Sequence, residues 1–148
     1  MSQQTLMLCQ EFCDGTALVV ATALLTIHYF RLGQELVASG FLVFAIGESV
    51  ILSGAAMKLA DSVPSFGAGA FLWAAGLVLV SAGPVFTVTV RVLGYAAAVL
   101  FTITALRIFA GAAVTPLTSP LPFFAYPVLV AVMLGWVFTL LRGTHDSA

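Results

Sequence analysis

From Ser62 to Val90 the chain carries no charged side chain, and after Pro64 the Gly83–Pro84 pair is the one strong breaker in the run. Few folds accommodate such a stretch. A soluble domain carries about 25% charged residues, spread over a surface that must face water. Here the shortage extends to the whole chain: of 148 residues, 61% are hydrophobic and 7% charged, with mean hydropathy +1.15. The chain cannot cover a water-facing surface, so the expected class is an all-α integral membrane protein embedded in a lipid bilayer.

A spanning helix needs about 20 mostly apolar residues. That rule predicts five, at about 12–31, 35–58, 65–83, 86–109 and 123–141, in a single transmembrane domain covering 1–148. Gly33 and Gln34 break the first helix from the second. Lys58, Asp61, Ser62 and Pro64 mark the next turn, and Gly83–Pro84 ends the third helix. Residues 110–122 hold prolines 116, 120 and 122 and read as a Pro-rich interfacial loop, with Phe123, Phe124 and Tyr126 at headgroup level. Residues 143–148 form a polar tail.

Residues 40–54, GFLVFAIGESVILSG, place Gly40, Gly47 and Gly54 seven apart, close to two helical turns, so they stack on one helix face. The third helix repeats the spacing at Gly69, Gly76 and Gly83. An antiparallel hairpin turning near Asp61 and Ser62 would set Gly40 against Gly83, Gly47 against Gly76, and Gly54 against Gly69. In lipid, where the hydrophobic effect does not bring helices together, small residues allow the close contact that does. The expected fold is therefore a compact bundle of five transmembrane helices with a tight hairpin between the second and third.

Glu48 stands in the middle of this apolar run, beside the glycine face. An intramembrane acid is costly unless it is paired, hydrated or protonated, and such residues are functional-site hypotheses by default. At 1.5 Å per residue Glu48 falls roughly 15 Å below the boundary at Lys58, and Arg91 roughly 9 Å from the opposite boundary. Their depths differ by roughly 6 Å, within an arginine's reach. Three readings follow: a structural pair with Arg91, a protonated acid donating a hydrogen bond, or a working proton or cation site. Ser49 and Ser53 would help solvate the pocket. His28, near the opposite boundary, reads as an interfacial hydrogen-bonding residue or as a proton relay with Glu35 or Glu48.

No metal-ligand cluster, phosphate-binding loop or nucleophile elbow occurs in the sequence, and no cofactor is expected. Cys9 and Cys13, four apart, lack partners for a metal set and are poorly placed for a disulfide; they read as buried soft side chains. A haem held by two histidines would need an intramembrane partner for His28, and His145 lies in the tail. Net charge is −1, with five Lys plus Arg scattered along the chain, so there is no basic stripe and no nucleic-acid partner. The N-terminal segment has no basic region ahead of the apolar run, so a removable signal peptide is not expected.

Arg31, Arg91 and Arg142 fall on one side against Lys58 and Arg107 on the other. By the positive-inside rule this gives an N-out, C-in arrangement in a cell (inner) membrane. The first functional expectation is a transport or channel component acting as a homo-oligomer, with a pathway past Glu48, Arg91, Ser49, Ser53 and His28. The alternatives are a non-catalytic accessory or assembly subunit bound to a partner membrane subunit, and a lipid- or quinone-binding membrane enzyme lidded by the proline loop. With no long soluble loop to build a water-side active site, enzymatic activity is the less favoured expectation.

Overall fold

The computed structural model describes the backbone of residues 3–55, 59–111 and 120–145, and the side chains of residues 13–54, 62–111 and 124–142. Five helices follow in order: α1 (Gln3–Arg31), α2 (Glu35–Ala55), α3 (Leu59–Ala82), α4 (Val88–Phe109) and α5 (Pro120–His145). No strand occurs among the described residues. Each helix contains a stretch long and apolar enough to cross a membrane: Cys13–Arg31, Glu35–Gly54, Ser62–Ala82, Val88–Phe109 and Phe124–Arg142.

Three helices begin earlier than the apolar pattern predicts. α1 starts at Gln3 rather than near 12, because nothing between Ser2 and Asp14 is Gly or Pro, and polar residues such as Gln and Glu are good helix formers. α3 starts at Leu59 rather than 65, with Pro64 inside its second turn. There the missing proline N–H removes one hydrogen bond close to the helix end and leaves the rest of the ladder intact. α5 starts at Pro120, so residues 120–122 are helical and not loop. Proline suits a first helical turn, whose N–H groups have no intrahelical partner anyway. The remainder of the expected loop, residues 112–119, lies outside the described residues, as do Lys58 and the side chains of Cys9, Asp61 and Phe123. Of the expected polar tail, residues 143–145 continue α5 and 146–148 lie outside the described residues.

Two helix ends have a visible cause. Gly33 adopts φ +71°, its N–H donates to the Phe30 carbonyl (3.0 Å), and the Gln34 N–H donates to the Tyr29 carbonyl (2.9 Å). This is the Schellman arrangement, in which a left-handed glycine closes the last carbonyls of α1. Gly111, at φ +80°, ends α4 in a similar way, its N–H bonding the Ile108 carbonyl at 3.0 Å.

Each helix packs against the next in sequence, while α1 and α5 make no close backbone approach among the described residues. The helices thus form an arc with a seam between α1 and α5. Aromatic rings fill its interior toward the end that holds Arg31, Ala82 and Arg142. Trp136 from α5 meets Phe41 edge-on, centroids 4.9 Å apart, and Phe41 stacks on Tyr29 at 5.5 Å. Phe86, from the connection between α3 and α4, packs against all three of these rings. Many large apolar side chains point outward instead, among them Leu24, Phe30, Val88 and Leu134.

The glycine faces of α2 and α3 do meet, but one rung away from the expected register. Gly40 lies against Gly76 and Val80, and Gly47 against Gly69 and Trp73. A Cβ placed on Gly40 would stand 2.9 Å from the Gly76 carbonyl oxygen, and one on Gly76 would stand 2.8 Å from that of Gly40. Gly83 instead meets Val37, and Gly54 meets Ser65. The shift goes with the early start of α3, which at Leu59 already includes residues 61–62, where the turn was expected. Because the ladder repeats every seven residues, sliding by one repeat keeps two rungs engaged.

Candidate functional site

Hydroxyl side chains in these helices are mostly satisfied by their own helix. Thr22 donates to the Leu18 carbonyl (2.8 Å), Thr102 to Ala98 (2.8 Å), Thr104 to Leu100 (2.9 Å) and Thr139 to Gly135 (2.8 Å). This back-bonding lets a polar residue sit in an apolar setting at little cost. Among the described residues, two buried side-chain polar atoms have no partner: Glu48 Oε2 and Trp73 Nε1. Glu48 is 6% exposed and Trp73 4%.

Both residues line the same pocket, about 470 Å³ in volume and partly open. α1 contributes Asp14, Gly15 and Leu18, and α2 contributes Ile51 and Leu52 beside Glu48. α5 closes the far side with Tyr126, Leu129, Val130 and Met133. The pocket therefore occupies the seam between α1 and α5, at the end away from the Trp136 cluster, with the α2–α3 hairpin as its floor. Its walls are apolar and its polar groups few, the usual make-up of a small-molecule site.

Local packing explains why these atoms are where they are. Gly15 lets α1 come close to Glu48: a Cβ there would stand 2.8 Å from Glu48 Oε1 and 2.5 Å from Leu52 Cδ2. Gly47 makes room for the indole, since a Cβ on it would lie 2.9 Å from Trp73 Cδ1, the carbon bonded to Nε1. The N–H edge of Trp73 is thus brought beside the residue that precedes Glu48. Its ring is held by stacking on Phe44 (5.3 Å, 6°) and by edge contacts with Phe101 (5.2 Å) and Tyr126 (6.1 Å). Trp73 Nε1 and Glu48 Oε2 are both buried, and neither bonds the other.

Of the residues expected to work with Glu48, none joins it. Arg91 turns to the end of α3, where its Nε donates to the Ser81 carbonyl (2.7 Å) and its Nη2 to the Ala82 carbonyl (3.4 Å). A cation at the last carbonyls of a helix satisfies orphan acceptors and complements the helix dipole. That end of α3 packs beside Val37 and Gly40, so the guanidinium lies roughly 15 Å along α2 from Glu48. The expected pair does not form. Ser49 is exposed and donates to the Ala45 carbonyl (2.9 Å), while Ser53 donates to Val50 (2.7 Å). Neither hydroxyl solvates the carboxyl. His28 is exposed near the end of α1, edge-on to Tyr29 at 5.1 Å, and stands level with the start of α2, too far from Glu48 to relay a proton.

Trp73, Asp14, Gly15 and Tyr126 were not singled out as site residues by sequence reasoning. Among the described residues no cluster of three or more His, Cys, Asp or Glu side chains is placed to hold a metal ion. Cys13 is a free thiol and exposed, contrary to the buried reading. No protein family, curated protein or solved structure matches the chain.

Proposed function

We propose that the chain is a small integral membrane protein that binds a lipid-soluble small molecule in the Glu48 pocket, drawing it sideways from the bilayer through the seam between α1 and α5. One observation carries this reading: Glu48 and Trp73, the two residues with a buried, unpartnered polar atom among the described residues, both line a single largely apolar, partly open pocket beside α1 and α5. A purely structural acid would have a partner, because an unpaired buried polar group costs about 1–3 kcal/mol. The binding alternative is preferred to a transport or channel pathway because Glu48 alone of the five expected pathway residues lines the pocket. The transport reading keeps one support, the position of an acid inside a spanning segment.

The reading includes a homo-oligomer, since a second copy set against the seam would give a laterally open pocket its missing wall. It also includes a cell inner membrane with Arg31, Arg91 and Arg142, which share one end of the bundle, on the cytoplasmic side.

A membrane-soluble carbodiimide tests the site. In bilayer-embedded protein it should modify Glu48, seen as an adduct on the peptide containing residue 48, and Glu48→Gln should carry none. Modification confined to Asp14, with Glu48 unreactive, overturns the reading.

A further inference from the structure

Among the described residues, the charged groups that line the pocket are all of one sign. Glu48 is 6% exposed, and Asp14 is exposed one residue before Gly15 on α1. Of the two Glu48 oxygens, Oε2 is shut in without a partner, while Oε1 faces α1, 2.8 Å from where a Cβ on Gly15 would stand. Neither oxygen has a hydrogen bond among the described residues. Basic side chains stay away from the pocket. His28, Arg31, Arg91 and Arg142 belong to the other end of the bundle, and Arg107 is exposed on α4, which contributes nothing to the lining.

That pattern selects among head groups. An anion would meet two carboxyls and no cation. A neutral carbonyl or hydroxyl gains hydrogen bonds at most and leaves Asp14 unused. A basic amine differs, because its fit does not depend on which partner holds the proton. A free amine accepts the proton of a neutral carboxyl, and an ammonium donates to a carboxylate. These are one pair, in which a single proton passes from oxygen to nitrogen and nothing else is exchanged. With the proton on nitrogen the hydrogen bond is charge-assisted and stronger. Asp14, its carboxyl exposed, draws a cation to the rim. Tyr126 and Trp73 bring aromatic rings to the lining, and such rings attract ammonium groups. The remaining walls, among them Leu18, Ile51, Leu129 and Met133, suit an apolar body.

We infer that the pocket binds a lipid-soluble amine, its nitrogen sharing one proton with the Glu48 carboxyl at Oε1 and its apolar body lying between α1 and α5. This rests on the reading of the pocket as a binding site open to the bilayer.

The test compares N,N-dimethyldecylamine with N,N-dimethyldecanamide, whose nitrogen is not basic, and with decyl sulfate, of opposite charge. A tertiary amine has no N–H for the activated carboxyl to acylate. In bilayer-embedded wild-type protein, with each probe dilute enough to leave the surface charge unchanged, the amine should slow carbodiimide modification of Glu48 about tenfold more than the amide, the worth of one charge-assisted hydrogen bond. Decyl sulfate should not slow it. The amine should also move one of the two indole N–H resonances, the one missing from Trp73→Phe, and Glu48→Gln should need about tenfold more amine for the same shift. Asp14→Asn should weaken protection about two- to fivefold, as expected for an exposed charge; unchanged protection overturns the part given to Asp14. Should Glu48→Gln fail to fold, the three-probe comparison on the wild type decides alone. Equal protection by amine and amide, or protection by decyl sulfate, overturns the amine assignment and leaves the binding pocket standing. A Glu48 that the carbodiimide never reaches overturns the pocket reading itself.

Discussion

Gly47 and Gly69 approach so closely that a Cβ on Gly47 would stand 2.9 Å from the Gly69 carbonyl oxygen, and one on Gly69 would stand 2.7 Å from that of Gly47. The contact is backbone against backbone, so no side chain can turn aside to admit a methyl group. Gly40 and Gly76 repeat the arrangement two turns away. The hairpin is thus fastened at two rungs, and between them Trp73 is carried to the floor of the pocket.

Alanine ordinarily favours a helix over glycine by about 1 kcal/mol. At Gly47 and Gly76 the sign should reverse. Overpacking should cost about 1–3 kcal/mol for Gly47→Ala and for Gly76→Ala, read as a lowered unfolding temperature in detergent. Leu42, 48% exposed, should tolerate Leu42→Ile within about 0.5 kcal/mol. Equal unfolding temperatures for the three variants would remove the tight seam.

Arg91 and Glu48 should behave as independent residues. Arg91→Met removes two hydrogen bonds from the end of α3 and should cost about 1–2 kcal/mol, since the guanidinium is only partly buried. Residues more than 7–10 Å apart with no shared partner usually add within about 0.5 kcal/mol. A double-mutant cycle with Glu48→Gln should therefore give a coupling no larger than that, and exchanging the two charges should rescue neither single variant. Rescue would restore the intramembrane pair.

The helix count and the glycine faces were legible because both depend on local pattern: apolar length, and a seven-residue spacing that any helix turns into one stripe. The register was not. It depends on where the hairpin turns, and Pro64 reads as a helix boundary although α3 absorbs it in its second turn. That single displacement hid the site, because with the glycines matched one rung off, Trp73 does not face Gly47. Arg91 was misplaced for a related reason. Depth along a helix says nothing of direction, and the bare carbonyls at the end of α3 offered the guanidinium partners that a residue count cannot see. Ser49 and Ser53 follow the same logic, each bonding its own helix where spacing alone put it near the acid.

Those two serines give a sharp negative expectation. Ser49→Ala and Ser53→Ala should each change stability by no more than about 0.5 kcal/mol and leave the rate of carbodiimide modification at Glu48 unchanged. A slower rate in either variant would mean that its hydroxyl reaches the carboxyl after all.

The mouth of the pocket can be separated from the helix that carries it. Val130 and Val137 lie seven apart on α5, hence on the same helix face, and are similarly exposed, at 52% and 51%. Val130 lines the pocket and Val137 does not. Val130→Trp should crowd the seam beside Tyr126 and slow modification of Glu48 severalfold, whereas Val137→Trp, with the same change in size two turns away, should not. Both exposed substitutions should leave stability within about 0.5 kcal/mol, measured as unfolding temperature in detergent. If both variants slow the reaction alike, the carbodiimide does not reach Glu48 through the seam between α1 and α5. If neither does, the route to the acid lies elsewhere in the bundle.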